Sequence, residues 1–154
     1  MNLRVIQFGR TKEDWLKEAI AEYLKRLRPM MSLDIVELPD TSISKAGTVE
    51  KVKSAEATTC LSRISDDDFV VVLDEHGEQK TSLEFSSFLT SLSDKRNVVF
   101  VIGGVYGLDG IVLKRANSCF SLSPLTFTHQ MARLILLEQI YRALMIKSNR
   151  KYHY

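Results

Sequence analysis

The chain has 154 residues, 45% of them hydrophobic and 26% charged, with a formal net charge of +2. This length suits one domain, expected over residues 1–154, that buries enough apolar surface to fold without a disulfide or a metal. No apolar run is long enough to span a bilayer and the N-terminal segment lacks a signal-peptide cleavage site, so we expect no membrane association and a cytoplasmic protein.

The first predicted elements are a strand at residues 3–8 and a helix that follows it. Thr11 stands where a helix N-cap is expected, with Asp14 three residues further on. Apolar residues then recur at helical spacing until Pro29, which cannot continue a helix. The segment therefore predicts a β-strand followed by an amphipathic helix.

The rest of the chain continues this alternation of strands and helices. Residues 69–73 and 98–102 are uninterrupted apolar runs, the pattern of parallel strands covered on both faces. The aspartate triplet at residues 66–68 predicts a solvated turn. The other predicted elements are a strand at 33–38, a polar loop at 39–47, a helix at 48–64 with Val49, Val52, Ala55 and Leu61 inward, a loop at 74–80, helices at 82–92 and through Val112 and Ala116, a strand at 119–122, and a long helix at 128–146. This order predicts an α/β domain with a mostly parallel sheet and helices on both faces.

A glycine-rich loop, residues 103–107, follows the apolar strand at 98–102. Ligands of such sheets bind at the carboxyl ends of the strands, and glycine allows a backbone to approach a ligand closely. A tight turn without a ligand explains the loop equally well. The spacing G-G-x-x-G, late in the chain, is not the dinucleotide-binding fingerprint, so an ordinary Rossmann dehydrogenase or methyltransferase is disfavoured.

The last predicted helix has no continuous polar face. From residue 131 to residue 146 only Arg133, Glu138, Gln139 and Arg142 are polar, and they point to different sides. A helix that is apolar nearly all round is buried nearly all round, and a second copy of the chain would cover its outer side. The alternative is a helix wrapped by its own chain. Glu138 and Arg142 have ion-pair spacing, although Arg142 near a ligand is an equal possibility.

Other polar residues predict less specific chemistry. Cys60 and Cys119 are expected to be reduced apolar residues, and the acidic segment around His76 is expected to be solvated rather than a metal site. The tail at residues 148–154 has the position of a frayed end. Its aromatic and cationic side chains are nevertheless those that stack on bases and hold phosphates.

Four stretches together resemble one family. They are Val72-Leu73-Asp74, Ile102-Gly103-Gly104 with Gly107-Leu108, SLSPLTFTH at residues 121–129, and the segment from Arg133 through LEQIYRA at 137–143 to Tyr152-His153. The chain resembles the RlmH family of SPOUT-class enzymes, which use S-adenosylmethionine to methylate N3 of a pseudouridine in bacterial 23S rRNA. The resemblance spans the whole chain. It implies a C-terminal trefoil knot, an exception to the usual absence of knots, and a homodimer through the last helix.

The resemblance also implies where the cofactor binds. The expected cofactor residues are Leu73, Gly103, Gly104, Gly107, Ser123, Pro124, Leu125, Thr126, Phe127 and Thr128. Backbone groups of these loops would bind the adenine edge, and apolar side chains would form the walls.

The reaction itself constrains the catalytic residues. N3 of a pseudouridine carries a proton, so a general base or a group that stabilises the imide anion is required, and no metal is needed. The expected catalytic residues are His153, Arg142 and Tyr152. Arg133 is an alternative anion-stabilising group, and His129 is expected to tie down the cofactor loop. The alternatives are a knotted methyltransferase acting on another RNA such as tRNA, a catalytically silent RNA-binding or assembly protein, and a flavodoxin-like phosphate-binding module.

Overall fold

The computed structural model describes residues 1–154 as five strands and six helices. The strands are β1 (Asn2–Phe8), β2 (Ser32–Leu38), β3 (Phe69–Gln79), β4 (Asn97–Ile102) and β5 (Ser118–Ser121). The helices are α1 (Asp14–Leu27), α2 (Ile43–Ala46), α3 (Val49–Leu61), α4 (Ser82–Ser91), α5 (Gly110–Arg115) and α6 (His129–Lys147).

The strands form one sheet in the order β2-β1-β4-β3-β5, and every neighbouring pair is parallel. The central strand β4 is apolar because both of its faces are covered: Val98 and Phe100 pack on one side, and Val99 and Val101 on the other. Helices α1, α4 and α6 cover the first face, whereas α3 and α5 cover the second. This arrangement confirms the predicted α/β class, and it brings the loops that follow β1, β4, β3 and β5 to one edge of the sheet.

Threonine caps begin three of the helices. The hydroxyls of Thr48, Thr81 and Thr128 accept hydrogen bonds from amides in the first turns of α3, α4 and α6. The predicted cap at Thr11 is wrong, because α1 begins after Glu13 and the Thr11 hydroxyl instead accepts a hydrogen bond from Arg133.

Several local predictions differ from the structure. The polar loop at 39–47 contains the short helix α2, which the Ser42 hydroxyl caps. In α3 the inward residues include Ala57 and Cys60, whereas Ala55 is exposed, because the buried face lies along residues 52, 56, 57 and 60. Of the aspartate triplet, Asp68 is buried, where its carboxylate pairs with Arg4 and accepts hydrogen bonds from the Ser65 amide and Asn97.

Strand β3 is longer than predicted and irregular. Its pairing with β5 covers residues 71–73 and then resumes at Glu78, so the predicted loop at 74–80 lies largely within the strand. At Gly77 a Cβ atom would lie 2.8 Å from backbone atoms of Cys119 and Phe120, so a side chain there would collide with β5. No helix combines the length and apolar character that a bilayer crossing requires.

Candidate functional site

The glycine-rich loop after β4 is a tight, self-bonded turn. The Gly107 amide donates to the Gly104 carbonyl at 3.1 Å, and Gly107 has a φ of +80°, which favours glycine. A Cβ at Gly103 would lie 2.9 Å from the backbone of Gly107. A Cβ at Gly104 would lie 2.8 Å from the Glu56 carboxylate, so the space beside Gly104 belongs to that side chain. Gly104 therefore does allow a close approach, but the group that approaches it is the Glu56 carboxylate, which the sequence did not indicate.

The loop between β5 and α6 leaves polar backbone groups and apolar side chains open. The Leu125 amide donates to the Ser123 hydroxyl, but the amides of Thr126, Phe127 and Thr128 donate to no group in the chain. The side chain of Leu125 is 71% exposed and that of Phe127 is 38% exposed. Free amides beside apolar side chains fit the flat, partly polar edge of a nucleoside. The residues present therefore fit the expected cofactor.

Leu73 lies beside this loop on the neighbouring strand. It pairs with Phe120 of β5 and is half-buried at the margin of the core. The acidic segment that follows it is exposed at Glu75 and His76, and His76 bonds only within the segment, at 3.0 Å to Asp74. No group of three potential metal ligands is close enough together anywhere in the chain to hold an ion.

The predicted catalytic residues form an aromatic and charged cluster at the other end of α6, here called the tail cluster. Its members are Tyr23, Arg26, Glu138, Tyr141, Arg142, Tyr152 and His153.

Arg142 is the centre of the tail cluster. Its guanidinium donates to Glu138 at 2.5 Å and 3.0 Å, which confirms the predicted ion pair and raises the pKa of Arg142. It also lies 4.8 Å from the centre of the Tyr152 ring and donates to Nδ1 of His153 at 3.4 Å. Burial and a hydrogen bond with Tyr23 raise the pKa of the Tyr152 hydroxyl. Tyr152 and His153 are therefore held against α1 and α6, whereas Tyr154 is 99% exposed.

One chain does not join the two predicted parts of the site. Arg142 lies fourteen positions after Thr128, the N-cap of α6, a distance of about 21 Å along the helix axis. The structure thus places the predicted cofactor loop at residues 123–128 at one end of α6, and the tail cluster at the other end.

Arg133 and His129 lie near the first end of α6. Arg133 is 2% exposed and donates to the Phe8 carbonyl at 2.6 Å and to the Thr11 hydroxyl at 3.0 Å, while its Nε has no partner. Burial lowers the pKa of Arg133, and burial, followed by the charges of Arg133 and Lys12, lowers the pKa of His129. Arg133 therefore ties α6 to the end of β1, and its guanidinium is almost completely buried.

A cleft of about 280 Å³ opens beside Gly104 at the ends of β1, β2 and β4. It is here called the Glu56 cleft, and its lining residues are Phe8, Asp40, Thr41, Ser42, Ile43, Val52, Glu56, Gly104, Val105, Tyr106 and His129. Among the predicted cofactor residues only Gly104 lines it. Sequence reasoning missed Glu56 because a single glutamate on a helix of mixed composition has no distinguishing pattern.

Comparisons with known proteins give a consistent result. A family model described as a predicted SPOUT methyltransferase matches residues 1–153. Proteins named ribosomal RNA large subunit methyltransferase H from Bacillus thuringiensis (strain Al Hakam), Bacillus cereus (strain B4264) and Bacillus anthracis are each 44% identical over 159 aligned positions, covering 99% of this chain and of theirs. A crystal structure described as a hypothetical protein superposes with a TM-score of 0.57 at 18% identity, covering 95% of this chain and 68% of that one, which indicates a shared fold.

Proposed function

The chain belongs to the SPOUT methyltransferase family, and from this membership we propose that it methylates the RNA of the large ribosomal subunit with S-adenosylmethionine as the methyl donor. The observation that carries the proposal is the full-length, 44% identical match to proteins named for that activity. The match extends over 99% of both chains, so the proposal transfers a whole protein's activity rather than that of a fragment.

The donor is proposed to bind at the loops that follow β3, β4 and β5. The free amides of Thr126, Phe127 and Thr128 would donate to the adenine edge, and Leu125 and Leu73 would cover its faces. When bound, the donor supplies a methyl group activated by a sulfonium. The family further implies that these loops form a trefoil knot.

We propose a homodimer through α6, because the outer side of this helix carries apolar residues that its own chain leaves partly open. Met131, Leu134, Ile135 and Met145 are all half-exposed in the single chain. Two copies related by a twofold axis would bury this strip against itself. Such a pairing could also bring the tail cluster of one copy to the cofactor loops of the other, which no single chain achieves.

The proposed target atom is N3 of a pseudouridine in 23S rRNA. In this scheme Arg142, oriented by Glu138, stabilises the imide anion, while Tyr152 and His153 contact the nucleotide. Lys147 and Arg150 line a groove of about 470 Å³ beside the same end of α6, where phosphates would bind. A cytoplasmic location follows from the proposed ribosomal substrate.

The test is to incubate the purified protein and labelled donor with ribosomes, separated subunits and tRNA, and then to map the methyl group. Label at one pseudouridine of 23S rRNA is the expected result. Label confined to tRNA would replace the proposed substrate, whereas donor binding without transfer to any RNA would indicate a catalytically silent RNA-binding protein.

A further inference from the structure

Glu56 is a buried carboxylate without a cationic partner. It is 6% exposed, and the only ionisable side chain that perturbs its charge is Asp40, which has the same sign. Its Oε2 atom accepts a hydrogen bond from the Thr41 amide at 3.4 Å. Burying an unpaired carboxylate costs free energy, and such groups are concentrated at functional sites.

The second carboxylate oxygen is available to a ligand. Oε1 accepts no hydrogen bond from the chain, and it is not fully buried, because Arg133 Nε is the only fully buried side-chain polar atom without a partner. Because Glu56 lines the Glu56 cleft, Oε1 meets solvent there. A nearly buried side chain thus directs an unsatisfied acceptor into a cavity.

The rest of the Glu56 cleft suits a flat ring that carries N–H groups. The apolar walls are formed by Phe8, Ile43 and Val52. Tyr106, which is 39% exposed, offers a ring on which a base could stack. The volume of about 280 Å³ lies near the lower end of the range for small-ligand sites. One wall is Gly104, which also belongs to the proposed donor site. The acceptor of a methyl group must lie beside its donor, and through Gly104 this cleft adjoins the proposed donor site.

We propose that the Glu56 cleft receives the RNA base to be methylated and that Oε1 of Glu56 accepts the proton of its imide nitrogen. This inference rests on the proposed function, and it adds a catalytic residue that the sequence analysis did not include. In the step, the N–H bond breaks and its proton moves to Oε1. The nitrogen's electron pair then bonds to the methyl carbon, and the carbon–sulfur bond breaks with its pair remaining on sulfur. The products are an N-methyl imide, a neutral thioether and a protonated Glu56, which returns its proton to water.

Glu56 is better suited to this task than the other carboxylate of the cleft. Asp40 is exposed, whereas burial raises the pKa of Glu56 and makes its carboxylate a stronger proton acceptor. The other titratable groups that face Glu56 across the cleft are Tyr106 and His129, and burial favours the neutral form of His129. Lys45 on α2 and Arg133 on α6 are cations on the neighbouring elements, but neither perturbs the charge of Glu56.

Glu56→Gln tests the proposal, with Glu50→Gln, an exposed carboxylate on the same helix, as the matched control. The readouts are donor affinity by calorimetry, thermal unfolding, and the single-turnover rate of methyl transfer to ribosomal particles across a range of pH. Glu56→Gln should retain donor affinity and the folded state while losing about a hundredfold or more in rate. The wild-type rate should rise with pH to a plateau as Glu56 ionises, whereas the Glu56→Gln rate should continue to rise because hydroxide must then remove the proton. Glu56→Asp, which keeps a carboxylate, should recover part of the loss.

Each opposing outcome is distinct. An inactive wild-type protein would refute the proposed function, whatever the variants do. An active wild type with an equally active Glu56→Gln variant would overturn the role of Glu56. A variant that loses donor affinity but regains the wild-type rate at saturating donor would also overturn it, because Glu56 would then be a donor contact. If Glu56→Gln unfolds, Glu56→Asp carries the test: its shorter side chain should lower the rate at unchanged donor affinity, and a wild-type rate in that variant would overturn the proposal.

Discussion

Replacing Gly104 by alanine would test the packing of the β4 loop on Glu56. The added Cβ would lie 2.8 Å from Oε1 and 3.1 Å from Oε2, closer than nonbonded atoms tolerate. The carboxylate must therefore shift, and its hydrogen bond from the Thr41 amide and its burial oppose that shift. Overpacking of this kind typically costs about 1–3 kcal/mol. For a chain of this length the cost corresponds to a melting temperature lower by roughly 2–12 °C.

A double-mutant cycle with Glu56→Ala isolates this contact. Shortening Glu56 removes both oxygens that the new Cβ would meet, so Gly104→Ala should cost about 1–3 kcal/mol less in the Glu56→Ala background than in the wild type. The assay is urea unfolding followed by circular dichroism at one fixed protein concentration. Gly110→Ala is the control, because a Cβ there meets no atom within 4 Å. As α5 begins at Gly110, alanine should leave stability unchanged or raise it by up to about 1 kcal/mol.

A Gly104→Ala variant as stable as the wild type would refute this contact, and so would an equal cost with and without the Glu56 side chain. Either result would mean that the two groups are not in contact in solution. If alanine lowered stability more at Gly110 than at Gly104, the space around Gly110 could not be open.

Three further predictions follow from other parts of the molecule. Sedimentation at micromolar concentration should give a dimer because α6 presents a partly open apolar strip, and a monomeric wild type would refute the proposed pairing. Deleting residues 152–154 should abolish methylation in a single-turnover assay but leave donor affinity unchanged in calorimetry, because the tail cluster lies at the opposite end of α6 from the proposed donor loops. Full activity of the truncated protein would show that the tail is dispensable. Asp68→Ala should destabilise the fold by about 3 kcal/mol in urea unfolding, because it leaves Arg4 and Asn97 without their buried partner. The control Asp67→Ala, on the exposed part of the same turn, should change stability by less than about 0.5 kcal/mol, and equal effects of the two variants would contradict the burial of Asp68.

Much of the architecture was predictable because it depends on local patterns. The apolar runs at residues 69–73 and 98–102 identify strands covered on both faces, and they are the middle of the sheet as β3 and β4. The ion pair of Glu138 with Arg142 was likewise visible as a spacing of four residues on one helix. Element ends were less predictable, as the displaced start of α1 shows, because several polar residues in a row can each serve as a cap.

The candidate site was likewise predictable from the sequence only in part. Glycines at a strand's carboxyl end and an unusually apolar last helix are sequence signals, and family resemblance connected them to a methyl donor. The contact of Glu56 with Gly104 and the bond from Arg133 to the Phe8 carbonyl had no such signal, because they join residues far apart in the chain.

The sequence by itself determined the alternation of strands and helices, the parallel sheet and the loops available to a ligand, because periodicity and turn residues act over a few neighbouring positions. Only the tertiary structure decided which side chains meet at those loops. Burial of Glu56 without a cation, and the hydrogen bond between Tyr152 of the tail and Tyr23 of α1, follow from how the helices pack on the sheet. Packing of this kind depends on the shape of the whole core, which no short stretch of sequence encodes.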